Sequence, residues 1–377
     1  MFFKNARIFC GDFKFHNGAF EVTVDGKFGQ ILPETVPADA IDLAGAKVIP
    51  GLVDVHIHGA MGADFSDGDP EGLRNMAKYL LKEGITSFTP ASMTLPYEIL
   101  EKAFLTGKKL AEENPDDCAR IMGAHMEGPY FSQKKKGAQN GAYLKNPDLE
   151  GFAALQNACD GFIKIVDVAP ELAGAVEFVE GAKDLCTVSI AHTDSDYDHA
   201  KAAIDAGVTH LTHLFNAMPG IHHRNPGVIP AAAENNAVRA ELICDGIHIH
   251  PASVRLAFQL FGADRMVLIS DALRCCGMPD GEYELGGQAV FLADGVGRLA
   301  DGTIAGAVTS LFEGMRRAID FGINESDAIR AATINPAKAI NADELIGSIA
   351  TGKYADFVVC SDDYTKKRVF KGGIEIK

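Results

Sequence analysis

Between residues 51 and 345 the chain alternates two kinds of apolar pattern. Short continuous apolar runs stand at 52–57, 87–90, 121–126, 162–168, 188–191, 210–214, 240–244 and 266–269. Runs of that length, bounded by turn residues, are what strands buried on both faces look like. Most of the gaps between them carry apolar residues at helical spacing, over 73–83, 98–113, 173–182, 199–206 and 251–261. Gly84, Gly207 and Gly262 each follow the last periodic residue, the position where a helix end favours glycine. Eight β/α units in series predict an α/β chain whose residues 51–345 close into a (β/α)8 TIM-like barrel. An open doubly wound sheet is the alternative for the same alternation. The ends differ: 1–50 and 346–377 hold short β-type runs broken by turns. They are expected to pair into one small discontinuous β-sandwich domain.

Composition narrows the function. The chain has 377 residues, 47% of them hydrophobic, enough to bury a large core. Its 35 basic residues face 51 acidic ones, a formal net charge of −16. Such a chain repels nucleic-acid backbones and anionic membranes unless a basic patch intervenes. The one basic run, Lys134-Lys135-Lys136, reads as part of a loop. Met1 to Cys10 lacks the apolar stretch of a signal peptide or a membrane span. Eight cysteines are scattered without a CxxC pair, so reduced thiols and a cytoplasmic location are expected.

Candidate chemistry lies at the strand ends. In Asp54-Val55-His56-Ile57-His58, alternation puts both imidazoles on one face of the first strand. The third run closes on Glu127-Gly128-Pro129, the fifth on His192, the sixth on His213 and the eighth on Asp271. Singly each has a bland reading: Glu127 a solvated loop residue, Asp271 a helix N-cap, the histidines core or surface. Together they mean more. Seven barrel steps from His56 to Asp271 average roughly 31 residues, close to the length of a βαβ unit. That spacing puts the six residues at the ends of strands one, one, three, five, six and eight, which converge on one mouth of a barrel. Four imidazoles and two carboxylates gathered there are a donor set for a divalent transition-metal ion.

The surrounding motifs resemble the metal-dependent amidohydrolase superfamily and, within it, the N-acetylglucosamine-6-phosphate deacetylase family. PGLVDVHIHG (50–59) and the returning strand segment GSIATGKYADFVV (347–359) resemble the superfamily at large. Closer to the deacetylases are HMEGPYF (125–131), KKGAQNGAY (135–143), AHTDSDY (191–197), THLFNAMPGIHHRNPG (212–227), CDGIHIHP (244–251) and GTIAGA (302–307). The resemblance runs nearly end to end.

It implies hydrolysis of N-acetyl-D-glucosamine 6-phosphate to D-glucosamine 6-phosphate and acetate. Glu127 would take the bridging or anchoring metal position beside His192 and His213, and His56 and His58 allow a second ion. One or two ions of zinc or iron per subunit are implied. Asp271 matches the catalytic aspartate, which moves a proton from water to the departing amine. Asn216 and Ala217 match sugar contacts, and Asp245 and His248 phosphate or sugar contacts. His223 and Arg224 match a phosphate-binding segment that in this family reaches the neighbouring subunit, which implies a homodimer. Ala138, Gln139, Ile304, Ala305 and Gly306 match pocket-lining positions. Gln139 stands where some relatives carry a histidine proposed to polarise the carbonyl; either a second ion or Gln139 itself then does so.

Two other readings are open. A cyclic-amide hydrolase or deaminase could share the barrel, but many binuclear relatives bridge their ions with a carboxylated lysine on strand four. Here that strand continues Ile165-Val166-Asp167-Val168, and Lys164 lies too early to reach the mouth. A non-catalytic scaffold with a vestigial metal site is opposed by the presence of all six candidate side chains.

Overall fold

The computed structural model describes residues 1–377. Eight parallel strands follow one another around a sheet in chain order: Leu52–Ile57, Ile85–Ser92, Ala124–Met126, Ile163–Val168, Thr187–Ile190, His210–Leu211, Arg239–Ile243 and Met266–Ile269. The last meets the first, where the Asp271 amide donates to the His56 carbonyl and the His58 amide to the Ala272 carbonyl, each at 2.9 Å. A doubly wound sheet would reverse its strand order at a switch point, and this one does not. The sixth strand stops at Leu211, short of the expected 214. His213 and Phe215, with φ of 31° and 76°, turn the backbone out of the extended region there.

Helices Pro70–Lys82, Tyr97–Glu113, Ala175–Ala182, Tyr197–Ala206 and Pro251–Phe261 occupy the stretches their periodicity predicts. Pro70–Lys82 shows why. The Asp69 side chain accepts from the Glu71 and Gly72 amides, Pro70 fits the first turn, and Leu73, Met76, Ala77, Leu80 and Leu81 turn inward. Five more helices, Leu149–Ala158, Val228–Glu234, Leu311–Asp320, Glu325–Ala332 and Ile334–Ala339, were not picked out by pattern. A cluster of 72 buried residues fills the space between strands and helices. No helix is long and apolar enough to cross a membrane.

The two chain ends share a sheet. Phe357–Cys360 pairs antiparallel with Lys47–Pro50, joining the C-terminal strands to Phe2–Phe9, Phe15–Val22 and Phe28–Ile31. Phe20 and Phe357 lie on strands three steps apart, ~14 Å in a flat sheet. Their ring centroids are nevertheless 5.0 Å apart. The sandwich is thus one sheet curled over a shared aromatic core, in which Phe3 and Phe370 also pack.

One element was not anticipated. After the eighth strand, Gly281–Leu285, Gln288–Ala293, Val296–Leu299 and Ile304–Gly306 form a four-stranded antiparallel sheet. Its first two turns are Gly286-Gly287 (φ 54° and 82°) and Asp294-Gly295 (φ 51° and 75°), the left-handed pairs that tight hairpins require.

Candidate metal centre and active site

The six side chains expected at the barrel mouth meet there. His192 Nε2 and His213 Nε2 lie 3.1 and 3.2 Å from Glu127 Oε1 and 3.1 Å from each other. On the other side His58 Nε2 lies 3.2 Å from Glu127 Oε2 and 3.5 Å from Asp271 Oδ1. His56 Nε2 lies 3.6 Å from the same Asp271 oxygen. Three groups of donors result: one, His56, His125 and Glu241, lies beneath, and two share the mouth, His56, His58 and Asp271, and Glu127, His192 and His213. Glu127 touches both. His192, His213 and Asp271 hold φ values of 43°, 31° and 49°, a costly region for residues other than glycine that clusters at functional sites.

The rings are aimed by what lies behind them. His58 Nδ1 faces the Ala91 carbonyl at 3.2 Å, and His192 Nδ1 the Lys135 carbonyl at 2.9 Å. His56 Nδ1 faces the Glu241 carboxylate at 2.9 Å. In each case the far nitrogen, Nε2, is left for the mouth. His56 Nε2 is buried with no hydrogen-bond partner, and His192 and His213 converge on one carboxylate oxygen. Imidazole nitrogens that give up their protons to a divalent ion, converging with carboxylates, are the donors such an ion takes, so the residues fit it.

The charges are strongly coupled. Burial by itself would lower the imidazole pKa values, but the carboxylates of Asp271 and Glu127 hold His58 well above its usual range, and Glu127 holds His213 up to about 9. Burial would likewise raise Glu127 and Asp271. Hydrogen bonds from His192, His213 and His58 keep Glu127 well below the carboxylate range, and the charges of His56 and His58 keep Asp271 low. Both carboxyl groups are therefore ionised bases at neutral pH.

Above these groups lies a cavity of about 330 Å³. Ala138, Gln139, Asn216, Ala217, His248, Ile304 and Ala305 line it together with His58, Glu127, His192, His213 and Asp271. Leu285 of the inserted sheet and Thr303, just before its last strand, also line it. Lys134 and Lys135, expected only as part of a loop, line it too; Lys134 Nζ is bound to Asp194 at 3.0 Å. Asp245 stands behind His248 instead of lining the cavity. Its Oδ2 lies 2.6 Å from His248 Nδ1, and its Oδ1 accepts the Ile247 and His248 amides. Gly306 is buried against the Asp271 backbone, where a Cβ would come within 3.0 Å of the Asp271 carbonyl oxygen. His223 and Arg224 are exposed and outside this cavity, 2.8 Å apart. Lys164 bonds the Gly161 carbonyl at the start of the fourth strand, far from a bridging position.

Gln139 is committed on both sides of its amide. Its Oε1 accepts the Thr94 amide at 2.8 Å, and its Nε2 donates to Glu127 Oε2 at 2.5 Å.

Beneath the mouth is a polar layer that sequence reading missed. Glu241 lies between His56 and His210, and Asp167 accepts from Thr212 at 2.9 Å and lies 3.0 Å from His125 Nε2. All six side chains are fully buried. Their one sequence signal is that polar residues occupy inward-facing positions of apolar strands.

The chain is similar to proteins of known family. The Amidohydrolase family model matches residues 47–375. The N-acetylglucosamine-6-phosphate deacetylase of Bacillus subtilis is 38% identical over 331 residues, covering 87% of this chain and 82% of that one. The N-acetylgalactosamine-6-phosphate deacetylase of Escherichia coli O157:H7 is 32% identical, covering 89% and 88%. A mutant of the Mycobacterium smegmatis N-acetyl-D-glucosamine-6-phosphate deacetylase, solved in complex with N-acetyl-D-glucosamine-6-phosphate, superposes with a TM-score of 0.93 at 31% identity. It covers 100% of this chain and 99% of that one. With a shared barrel, a shared family model over most of its length and these relatives, the chain belongs to the amidohydrolase family, in its N-acetylglucosamine-6-phosphate deacetylase branch.

Proposed function

We propose that this chain hydrolyses the acetamide of N-acetyl-D-glucosamine 6-phosphate, giving D-glucosamine 6-phosphate and acetate in amino-sugar catabolism. The observation that carries the reading is a pair of donor groups, one of them including Asp271, linked by Glu127 at the floor of a cavity of about 330 Å³. That volume lies within the range of small-ligand pockets. The relatives named above act on 6-phosphorylated N-acetylhexosamines by name.

His56, His58 and Asp271 would hold one divalent ion and Glu127, His192 and His213 another, zinc and iron both suiting these donors. When bound, such ions supply Lewis acidity, lowering the pKa of water toward ~7 and stabilising charge on a carbonyl oxygen. Asp271 accepts a proton as water adds to the acetyl carbon. It returns that proton to the nitrogen as the C–N bond breaks, so the sugar leaves as an amine and the acyl group as acetate. Gln139 holds Glu127 in place, and both ends of its amide are engaged, so it is not free to polarise the carbonyl. Asn216 and Ala217 contact the sugar. His248, oriented by Asp245, faces the phosphate, and Arg224 of a second subunit supplies the planar fork that suits phosphate oxygens. The working form is a cytoplasmic homodimer.

Acetate release from N-acetylglucosamine 6-phosphate by zinc- or iron-loaded protein tests this, with N-acetylgalactosamine 6-phosphate alongside. Release from neither refutes the function, and faster release from the second reassigns the sugar.

A further inference from the structure

We infer that Glu241 is a positioning residue for His56, fixing which imidazole nitrogen is presented to the metal centre and so the strength of the His56/His58/Asp271 position; the inference rests on the two-ion reading above. Glu241 lies on the seventh strand with its side chain inside the barrel, fully buried. Oε2 is 2.9 Å from His56 Nδ1 and accepts the His213 amide at 3.2 Å, and Oε1 is 3.0 Å from His210 Nε2. The His213 amide can only donate, so Oε2 is an acceptor, and the same oxygen is the one that His56 Nδ1 faces.

Acceptance from His56 puts that ring's proton on Nδ1 and leaves the lone pair of the neutral ring on Nε2. Nε2 is the atom that is buried without a partner, 3.6 Å from Asp271 Oδ1 and 3.7 Å from Glu127 Oε1. The other rings are held differently. His58 and His192 lean on backbone carbonyls, and His213 Nδ1 has no partner. Of the four ligand histidines, His56 alone is backed by a full negative charge. A carboxylate buried in a barrel core is costly unless it is paired. Here the pairing runs to the metal position through one imidazole, and His210 steadies the far oxygen.

Glu241→Gln keeps the shape and removes the charge, presenting an N–H where an acceptor stood. Metal content and chelator competition, measured on zinc-loaded wild type and variant with circular dichroism as the fold control, read the outcome. The variant should retain one ion as wild type does and hold the other about 10–100-fold more weakly. Both ions held with wild-type affinity would overturn the inference. Should the variant not fold, ¹⁵N-histidine NMR of the zinc-loaded wild type decides instead. His56 is expected to carry a slowly exchanging proton on Nδ1 and none on Nε2, and a proton on Nε2 or ligation through Nδ1 overturns it. A wild type that binds a single ion would sink the two-ion reading, while the His56 proton position still reports on Glu241.

Discussion

The side-chain amide of Gln139 spans from the Thr94 backbone to Glu127, 2.5 Å from the carboxylate oxygen that also faces His58. Gln139 therefore braces the residue that links the two donor groups. Gln139→Ala would leave the buried Thr94 N–H without its acceptor and free Glu127 to rotate. Losing one such bond costs about 1–3 kcal/mol. A lower Tm and weaker metal retention are expected in the variant; unchanged values for both would show that the brace is idle.

Asp271, the proposed proton-transfer group, is ionised and lies within 3.6 Å of both first-strand histidines. Asp271→Asn keeps the shape and removes the base. General acid–base assistance is typically worth 10²- to 10⁴-fold in rate, and a fall of about that size in kcat is expected. The ion at Glu127, His192 and His213 should remain, as checked by elemental analysis. Wild-type turnover in the variant would remove Asp271 from proton transfer.

The sequence made the barrel legible because strands buried on both faces read as unbroken apolar runs, and because five helices show a clear inward face. The six mouth residues were legible for a related reason: each ends a strand, and strand ends in a barrel share one rim. Glu241 was not. Its partners His210 and His56 are 31 and 185 residues away, so no local spacing announces it. Asp245 was found through its motif, but its place behind His248 depends on a loop turn that the motif does not encode. The inserted sheet could have been read from Gly286-Gly287 and Asp294-Gly295 between alternating residues such as Tyr283, Leu285, Val290 and Leu292. Its exposed half kept that alternation weak.

Removal of metal should loosen the fold measurably. Four histidines and two carboxylates, all buried, face one another at the mouth, and any ion bound only by the folded state stabilises it. An ion present at one hundred times its Kd contributes ~2.7 kcal/mol. Chelated protein should therefore melt below the reloaded protein, and restoring zinc should recover the difference. Equal melting temperatures, with loss of metal verified, would mean that the ions do not stabilise the fold.

The thiols should be inert in the folded protein. All eight cysteines are free, and six of them are buried. Burial disfavours the thiolate, pushing Cys118 up to about 11 and Cys276 and Cys360 up to about 12. Because the raised pKa keeps the neutral thiol dominant at pH 8, and the thiolate is the reactive form, alkylation should be slow there. Iodoacetamide labelling followed by mass spectrometry should modify these three only after unfolding in urea. Fast labelling of any of them in the native state would contradict the burial described.

Arg224 gives the sharpest test of the assembly. It lies outside its own subunit's cavity, exposed beside His223, so it can serve the phosphate only if a second copy brings it to the neighbouring mouth. An exposed arginine contributes little to the fold, and Arg224→Ala should change the stability by no more than about 0.5 kcal/mol. Loss of a charge-assisted contact worth about 1.5–3 kcal/mol should raise KM for the phosphorylated sugar roughly 10- to 150-fold, with kcat changed far less. Mixing Arg224→Ala with Asp271→Asn subunits separates the two sites. If Arg224 acts across the interface, a mixed dimer joins both lesions in one site and leaves the other site intact, so low-substrate activity returns on mixing. If mixing restores nothing while the dimers are shown to exchange, Arg224 does not act across an interface.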